Sequence, residues 1–234
     1  PYPLFARWTY RYHKIKKVRI NYQSIGSGGG LAQVNAGTVD FGATDVFLDD
    51  GQLQSAGAPL IHIPTCLGAV AITYNLPGIP ELRFTPDLIA AIFSGEVTRW
   101  NDRRIADVNP GLRFPDQAIT VVHRTDASGT THIFTDFLSG TSLRWREGVG
   151  TGAEVAWPLG QGADGADQGA LAAGDADAVA DVLAVADADL AHQALLGRDQ
   201  GADALDLAAH LQAALAADAL GHVASYRGAG AVQG

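Results

Sequence analysis

The 234-residue sequence predicts an α/β fold with mixed, largely parallel sheets and flanking helices. Two observations carry this prediction. Apolar runs typical of strands alternate with helical patterns through the first 160 residues, and this βα order is typical of parallel sheets. The composition, 47% hydrophobic and 18% charged, is enough to bury a core in one large domain or two small lobes.

Helices are expected at four places. The first residues predict an amphipathic helix because apolar side chains recur at helical spacing, namely Leu4, Phe5, Trp8 and Tyr12. The glycine run 26–30 is expected to break the chain before a short helix that begins at Leu31. Thr85, Pro86 and Asp87 form a helix start with Gly95 as its stop, and a further helix follows Ser128 and Gly129.

Strands are expected where β-branched and aromatic residues cluster or alternate. These segments are 18–22, 41–44, one or two strands within 61–74, and 119–123. The last of them runs directly into Arg124.

The final third of the chain differs in composition from the rest. Residues 1–160 hold 14 Lys or Arg and 14 Asp or Glu, whereas residues 161–234 hold 2 and 11. This region is rich in alanine, with aspartate and glycine interspersed, and therefore predicts short helices and loops with a thin core.

Charge and composition exclude several classes of function. The net charge of −9 argues against nucleic acid as a partner, because such binders normally present a basic face. The longest apolar stretch, 60–76, is interrupted by polar residues and falls short of the roughly 18–20 needed to span a membrane. The single cysteine, Cys66, excludes an intramolecular disulfide and a thiolate metal cluster, and we expect it to be a small buried hydrophobe.

Two segments predict anion-binding turns at helix starts. The first is 25–30, IGSGGG, and the second is 124–131, RTDASGTT. A helix N-terminus offers unpaired N–H groups and partial positive charge, and glycine allows a ligand to approach closely. Each motif alone is common as a plain turn or helix cap. Together, with hydroxyls from Ser27, Ser128 and Thr130 and the fork of Arg124, they favour an oxyanion site.

Asp45 is the residue that would select the anion. A carboxylate repels a fully ionised anion, but it accepts a hydrogen bond from an anion that still carries a proton. This argument favours phosphate over sulfate. The simpler alternative is a solvated or capping aspartate at a strand end.

At these motifs the sequence resembles the phosphate-binding proteins of bacterial phosphate ABC importers. The resemblance runs from Pro1 to about Gly162. The matching stretches are PYPLF (1–5), NYQSIGSGGG (21–30), AGTVDFGATD (36–45), IPTCLGAVAITYNLPG (63–78), the Trp100-Asn101-Asp102 region and NPGLRFPDQAITVVHRTDASGTTHIFTDFL (109–138).

The resemblance implies a two-lobed periplasmic-binding-protein fold, type II-like, that closes on phosphate. It assigns the first lobe to 1–68, incomplete at its N-terminus, and the second lobe to 69–160 with a hinge near 65–76. Residues 161–234 would be a divergent remainder of the second lobe, with a return to the first. The implied contacts to phosphate are Ser27 and Asp45 from the first lobe and Arg124, Ser128, Gly129 and Thr130 from the second, supported by Gly28 and by Asp126, which would hold Arg124.

The resemblance also implies an exported, monomeric protein that is not an enzyme, needs no cofactor or metal, and delivers phosphate to an ABC transporter permease. Its signal peptide would be absent from this numbering. The sequence departs from the family at Ala127, where glycine is usual and where alanine would be strained if the position needs a positive φ. It also departs at Val46 and Phe47, where Ala-Pro is usual, and throughout the tail.

Three other functions stay open on the residues alone. The chain could bind another tetrahedral oxyanion such as sulfate or molybdate. It could be a degenerate member of the family that no longer binds. It could also be a hydrolase, because Ser128, His132 and Asp136 are spaced along one helix face.

Overall fold

The computed structural model describes residues 2–76, 78–79, 81–163 and 182–187. The helices in these residues are α1 (Tyr2–Lys16), α2 (Gly26–Asn35), α3 (Asp50–Gln54), α4 (Pro86–Phe93), α5 (Arg103–Val108), α6 (Gly129–Thr141) and α7 (Leu143–Gly148). The strands are β1 (Val70–Asn75), β2 (Thr120–Arg124), β3 (Gln161–Ala163) and β4 (Val182–Asp187).

The four strands form one mixed sheet in the order β1-β4-β2-β3. β2 pairs in parallel with both β3 and β4, and β1 pairs antiparallel with β4, with Val70 opposite Asp187. Two of the three pairings are parallel, as expected from the alternation of strands and helices. The carboxyl end of β2 is the end that carries Arg124 and leads to α6.

The hydrophobic core lies in the second half of the chain. It is built from α4, α6, β2 and the segments that connect them, since an apolar helix face must be covered by another layer. Its largest fully buried side chains are Trp100, Trp145, Phe93, Ile92, Ile105, Leu138, Val97, Val121 and Val122. This core gives the N-terminus of α6 a rigid support.

The helices of the second half begin where the sequence predicted. Thr85 caps α4 by accepting a hydrogen bond from the backbone N–H of Leu88, and Pro86 is in the first turn. Gly95 follows the end of this helix with a φ of 77°, a conformation that favours glycine. The predicted opening helix is likewise confirmed as α1.

Two of the three strand predictions for the first half are wrong, and the third is confirmed in part. Segments 18–22 and 41–44 are irregular, and within 61–74 only the part from Val70 onward is a strand. A strand needs a partner for its backbone hydrogen bonds, and in the described residues none pairs with these segments. No described residue before Asn75 is buried. Cys66, expected to be buried, is accordingly exposed.

The glycine run does not break the chain before a helix at Leu31, because it forms the first turn of α2. The helix begins at Gly26, which has a φ of 75°, and glycines 28–30 follow the helical path. The helix lies close to another backbone segment, because a Cβ at Gly30 would be 2.9 Å from the carbonyl oxygen of Ala43. Glycine is thus required here for close approach.

The tail prediction is wrong for both segments that can be described, since 161–163 form β3. Residues 182–187 form β4, an inner strand of the sheet, whereas helices and loops were expected. The sequence VLAVAD is short and rich in apolar residues, and pairing on both sides satisfies its backbone. The expectations for 164–181 and 188–234 lie outside the described residues. No described helix is both long enough and apolar enough to cross a membrane.

Candidate oxyanion-binding site

The N-terminus of α6 forms one side of the candidate site. Ser128 caps the helix, since its Oγ accepts a hydrogen bond of 3.3 Å from the backbone N–H of Thr131. Its own backbone N–H donates to the carbonyl of Ala153, 3.1 Å away, which fixes the turn. Ser128, Gly129 and Thr130 are all buried. The first-turn N–H groups are therefore held in position by the core.

Arg124 and Asp126 form a two-pronged ion pair beside this helix start. Nε of Arg124 donates to Oδ1 of Asp126, and Nη2 donates to Oδ2. The arginine side chain is 9% exposed and the aspartate side chain 30%. The pair fixes the plane of the guanidinium and leaves its remaining N–H groups for other acceptors.

The N-terminus of α2 meets the turn before α6. The backbone N–H of Gly28 donates to the carbonyl of Ala127 at 3.1 Å. A Cβ at Gly28 would lie 2.3 Å from the Cβ of Ala127, and a Cβ at Gly26 would lie 3.1 Å from Oδ2 of Asp126. Only glycine allows this approach. The starts of the two helices consequently face each other.

Asp45 lies at the junction of the two helix starts. Two hydrogen bonds join it to Ser27. The Ser27 hydroxyl donates to Oδ2 of Asp45 at 3.4 Å, and its Oγ accepts from the Asp45 backbone N–H at 3.3 Å. Oδ2 of Asp45 would be 2.8 Å from a Cβ at Gly129. The carboxylate is therefore in reach of both helices, although it follows an irregular segment and not the expected strand.

The structure thus brings together the predicted site residues from both halves of the chain. Ser27, Gly28 and Asp45 contact the turn that carries Arg124, Asp126, Ser128 and Gly129, and Thr130 lies in the first turn of the same helix. Two helix N-termini and one guanidinium supply positive potential and N–H donors at one point. Two carboxylates limit the net positive charge there.

Tyr22 is a neighbour of the site that sequence reasoning missed. Its ring stacks on Phe5 of α1 at 4.8 Å between centroids. Burial raises the pKa of the Tyr22 phenol, and the nearby Asp45 carboxylate raises it further. The phenol, protonated at neutral pH in any case, keeps its O–H as a hydrogen-bond donor. Its position two residues after Ile20 in an apparent strand gave no signal of this role.

The alanine in the second motif is not strained. Among the described residues other than glycine, a positive φ occurs only at Lys17. Ala127 therefore adopts a conformation open to any residue, and the departure from the usual glycine leaves the turn intact. The methyl group of Ala127 leaves no room for a side chain at Gly28.

An open cavity of about 320 Å³ adjoins the site on the far side of the ion pair. Arg124 and Asp126 line it together with His123, Glu154 and Trp157. The rings of His123 and Trp157 stack at 4.8 Å. Ser27, Asp45 and Gly129 do not line it, so the cavity meets the candidate site only at the ion pair.

The arrangement of Ser128, His132 and Asp136 is that of a capped helix. Oγ of Ser128 is engaged by the Thr131 N–H, and the Ser128 carbonyl accepts from the backbone N–H of His132. Within the described residues no side-chain hydrogen bond joins Ser128 to His132. No cluster of three or more His, Cys, Asp or Glu residues suited to a metal ion occurs in the same part of the chain.

The chain belongs to the PBP superfamily, because the profile described as the PBP superfamily domain matches residues 1–230. The solved structures similar to it show the same fold. A high-affinity periplasmic phosphate-binding protein, PfluDING, bound with phosphate, superposes with a TM-score of 0.54 at 23% identity, covering 76% of this chain and 52% of that one. An ancestral soluble variant of the human phosphate-binding protein has a TM-score of 0.60 at 20% identity, with 76% and 53% covered. The predicted two-lobed periplasmic-binding-protein fold is confirmed.

Curated relatives match about two thirds of the chain at higher identity. The phosphate-binding protein PstS of Xylella fastidiosa (strain Temecula1) is 46% identical over 156 residues, which is 66% of this chain and 42% of the relative. PstS of Pasteurella multocida is 45% identical over 157 residues, 66% of this chain and 45% of the relative. The chain therefore spans less than half the length of these relatives.

Proposed function

We propose that this protein binds inorganic phosphate between the N-termini of α2 and α6 and delivers it to the permease of an ABC transporter. One observation carries the proposal: two helix starts, a fixed guanidinium and a carboxylate converge at a single point. The names of the curated relatives, phosphate-binding protein PstS, support the same ligand.

Each group at the junction has a distinct role toward phosphate. The N–H groups of Gly129 and Thr130 and the hydroxyls of Ser27, Ser128 and Thr130 donate to the phosphate oxygens. Arg124, oriented by Asp126, donates two further N–H groups to them. Asp45 accepts a hydrogen bond from the P–OH group that phosphate still carries near neutral pH. Gly28 lets the two helices close on the ligand.

The lobes we propose follow the distribution of burial. Residues 1–68 form the first lobe, 69–160 the second with a hinge near 65–76, and 161–234 the remainder of the second lobe with a return to the first. In support, the described buried residues all lie from Asn75 onward, and β3 and β4 pair with β2. Closure of two lobes over a ligand is a common switching motion.

We place the protein outside the cytoplasmic membrane, as a monomer that binds without catalysis. The similar fold of PfluDING, a periplasmic phosphate-binding protein, supports the location. The net charge of −9 argues against a nucleic-acid partner. An activated nucleophile needs its base within hydrogen-bond reach, and in the described residues His132 makes no side-chain hydrogen bond to Ser128, which speaks against a hydrolase.

Another tetrahedral oxyanion is the main alternative ligand. Sulfate would meet the same donors, but it has no proton to offer to Asp45 at neutral pH, so the carboxylate would repel it. A chain that no longer binds any anion is the other alternative, since the composition of residues 161–234 differs from that of the rest.

Isothermal titration calorimetry near pH 8 tests the proposal. We expect heat on addition of phosphate and none on addition of sulfate, with phosphate titrated again in the presence of excess sulfate as a competition arm. Equal binding of the two anions would favour the general oxyanion binder. The absence of heat with phosphate, in protein that melts cooperatively, would favour the chain that no longer binds.

A further inference from the structure

Helix α1 carries a concentrated positive charge in an acidic protein. Residues 1–39 contain no Asp or Glu, and six of the sixteen Lys and Arg residues of the whole chain lie between positions 7 and 19. The remaining chain must therefore be strongly negative to give the net charge of −9. Such a separation of charge orients a protein in an external field.

The cations lie on the side of α1 that faces away from the protein. Phe5 marks the inner side, because its ring stacks on Tyr22. Arg7, Arg11 and Lys14 follow one another at i, i+4 and i+7 and are exposed. At 100° per residue this row lies roughly opposite Phe5. Within the described residues no carboxylate pairs with any of the three.

Exposed aromatic and aliphatic side chains flank the basic row. Trp8 and Ile15, 41% and 73% exposed, lie on one side of it, and Tyr10, 63% exposed, lies on the other. The ammonium group of Lys14 is 5.3 Å from the centroid of the Tyr10 ring. We call the surface of Arg7, Trp8, Tyr10, Arg11, Lys14 and Ile15 the α1 outer face.

A simpler explanation accounts for only part of this pattern. Cations in the last turn of a helix interact favourably with its macrodipole, and this covers Lys14 and Lys16. It does not cover Arg7 and Arg11, which lie earlier in the helix, nor the exposed tryptophan beside them. The spacing of the row on one face thus needs another reason.

We infer that the α1 outer face docks on an anionic lipid surface. Cations attract anionic headgroups, while tryptophan and tyrosine favour the boundary between headgroups and acyl chains. The acidic remainder of the chain is repelled by the same surface, so only this face turns toward it. Because Phe5 and Tyr22 separate the outer face from Asp45, docking leaves the candidate phosphate site free.

The inference rests on the proposed function only in placing the protein beside a membrane; the affinity for lipid is independent of phosphate. Co-sedimentation tests it with vesicles of 30% phosphatidylglycerol and 70% phosphatidylcholine against vesicles of phosphatidylcholine alone. We expect binding to the anionic vesicles at 50 mM salt and its loss at 500 mM. The triple variant Arg7→Ala, Arg11→Ala, Lys14→Ala should bind about 100-fold more weakly.

A matched control has the same change in net charge elsewhere. Arg83→Ala, Arg103→Ala, Arg113→Ala removes three exposed cations outside α1 and should bind vesicles like the parent protein. Equal loss in both triple variants, or equal binding to neutral vesicles, would overturn the inference. So would a dimer without lipid that only the α1 variant abolishes, because the face would then be an interface between copies.

Tryptophan fluorescence gives a direct readout of the docked face. Of the four tryptophans, Trp100 and Trp145 are buried and Trp157 is half-buried, so Trp8 is the most exposed. Brominated lipids in anionic vesicles should quench the parent protein and leave Trp8→Phe unquenched. Quenching that survives in Trp8→Phe would count against docking through α1. Phosphate titration of every variant separates a failure here from a failure of the proposed function.

Discussion

Gly129, the first residue of α6, stands directly against Ser27 of α2. A Cβ at Gly129 would lie 2.5 Å from Oγ of Ser27 and 2.8 Å from Oδ2 of Asp45. Real Cβ atoms do not approach side-chain oxygens so closely, so any other residue would push the two helix starts apart. The meeting of the two halves of the chain therefore depends on the absence of a side chain at Gly129 as well as at Gly28.

The variant Gly129→Ala should weaken phosphate binding without unfolding the protein. Overpacking costs about 1–3 kcal/mol, which corresponds to roughly 5- to 150-fold in affinity if the strain falls on the closed arrangement. Calorimetry measures the affinity, and thermal unfolding monitors the fold. Gly140→Ala on the same helix is the control: its Cβ meets nothing within 4 Å, and it should raise stability by up to about 1 kcal/mol. Unchanged affinity in Gly129→Ala would show that the two helix starts do not close on the ligand.

Arg124→Ala should weaken phosphate binding by about 2–5 kcal/mol, because it removes a buried charged partner of the ligand and breaks the ion pair with Asp126. Arg124→Lys keeps the positive charge but loses the planar fork, so we expect an intermediate affinity. Calorimetry on both variants separates charge from geometry. If lysine restored the full affinity, the two-pronged contact with Asp126 would have no role in binding.

Asp45→Asn should lower the preference for phosphate over sulfate. The carboxylate accepts a hydrogen bond from a proton that sulfate does not have, and replacing this charged acceptor by a neutral amide weakens the bond by about 1 kcal/mol. The amide also removes repulsion, so sulfate should bind more tightly than to the parent protein. Competition titrations near pH 8 measure the ratio. Asp40→Asn, an exposed carboxylate outside the junction, should leave that ratio unchanged.

Lys17→Gly should stabilise the end of α1. Lys17 has a φ of 61°, and its N–H donates to the carbonyl of His13 at 2.9 Å, as in a left-handed helix ending. Glycine adopts this conformation without the Cβ penalty, so we expect a gain of up to about 1 kcal/mol. Hydrogen exchange of the α1 amides reports it. Lys16→Gly, still inside the helix, should instead accelerate exchange, and protection in both variants would contradict this account.

Asp102 should make the second half of the chain sensitive to acid. It caps α5, and the hydrogen bond from the Arg104 guanidinium, at 3.2 Å, lowers the pKa of its carboxyl group despite some desolvation. A lowered pKa in the folded state stabilises the protein above the unfolded pKa, and this contribution is lost as pH falls through the folded value. Asp102→Asn still caps but cannot titrate. Urea unfolding measures the free energy of unfolding of this variant and of the parent. The difference between the two proteins should be larger at pH 7 than at pH 3, and at pH 7 it should be less than about 1 kcal/mol. An equal difference at both pH values would rule out the ion pair as the cause.

The sequence predicted the second half of the fold well because its signals are local. Thr85 before Pro86, and Ser128 before Gly129, cap helices through hydrogen bonds only three residues long. The apolar run before Arg124 is a strand because its neighbours bury both of its faces. The oxyanion motif at 124–131 could be recognised for the same reason: its geometry is set within eight residues.

The secondary structure of the first half and of the tail depends on residues far away in the sequence. The predictions from local pattern were therefore wrong there. Alternation at 18–22 is a signal for a strand only if another strand lies beside it, and in the described residues none does. Tyr22 stacks on Phe5 and lies near Asp45, and no spacing in the sequence indicates either contact. The strand at 182–187 is likewise specified by the two strands that flank it.

The place of β4 in the sheet has a consequence for how the protein is made. β1 and β2 are synthesised first but do not pair with each other, because β4 lies between them and Asn75 pairs with Val182. The edges of both strands that pair with β4 therefore have no hydrogen-bonding partner until residues 182–187 have been synthesised. Such long-range pairing is slow and exposes strand edges meanwhile. The nascent chain would therefore depend on protection from aggregation until residue 187 has emerged.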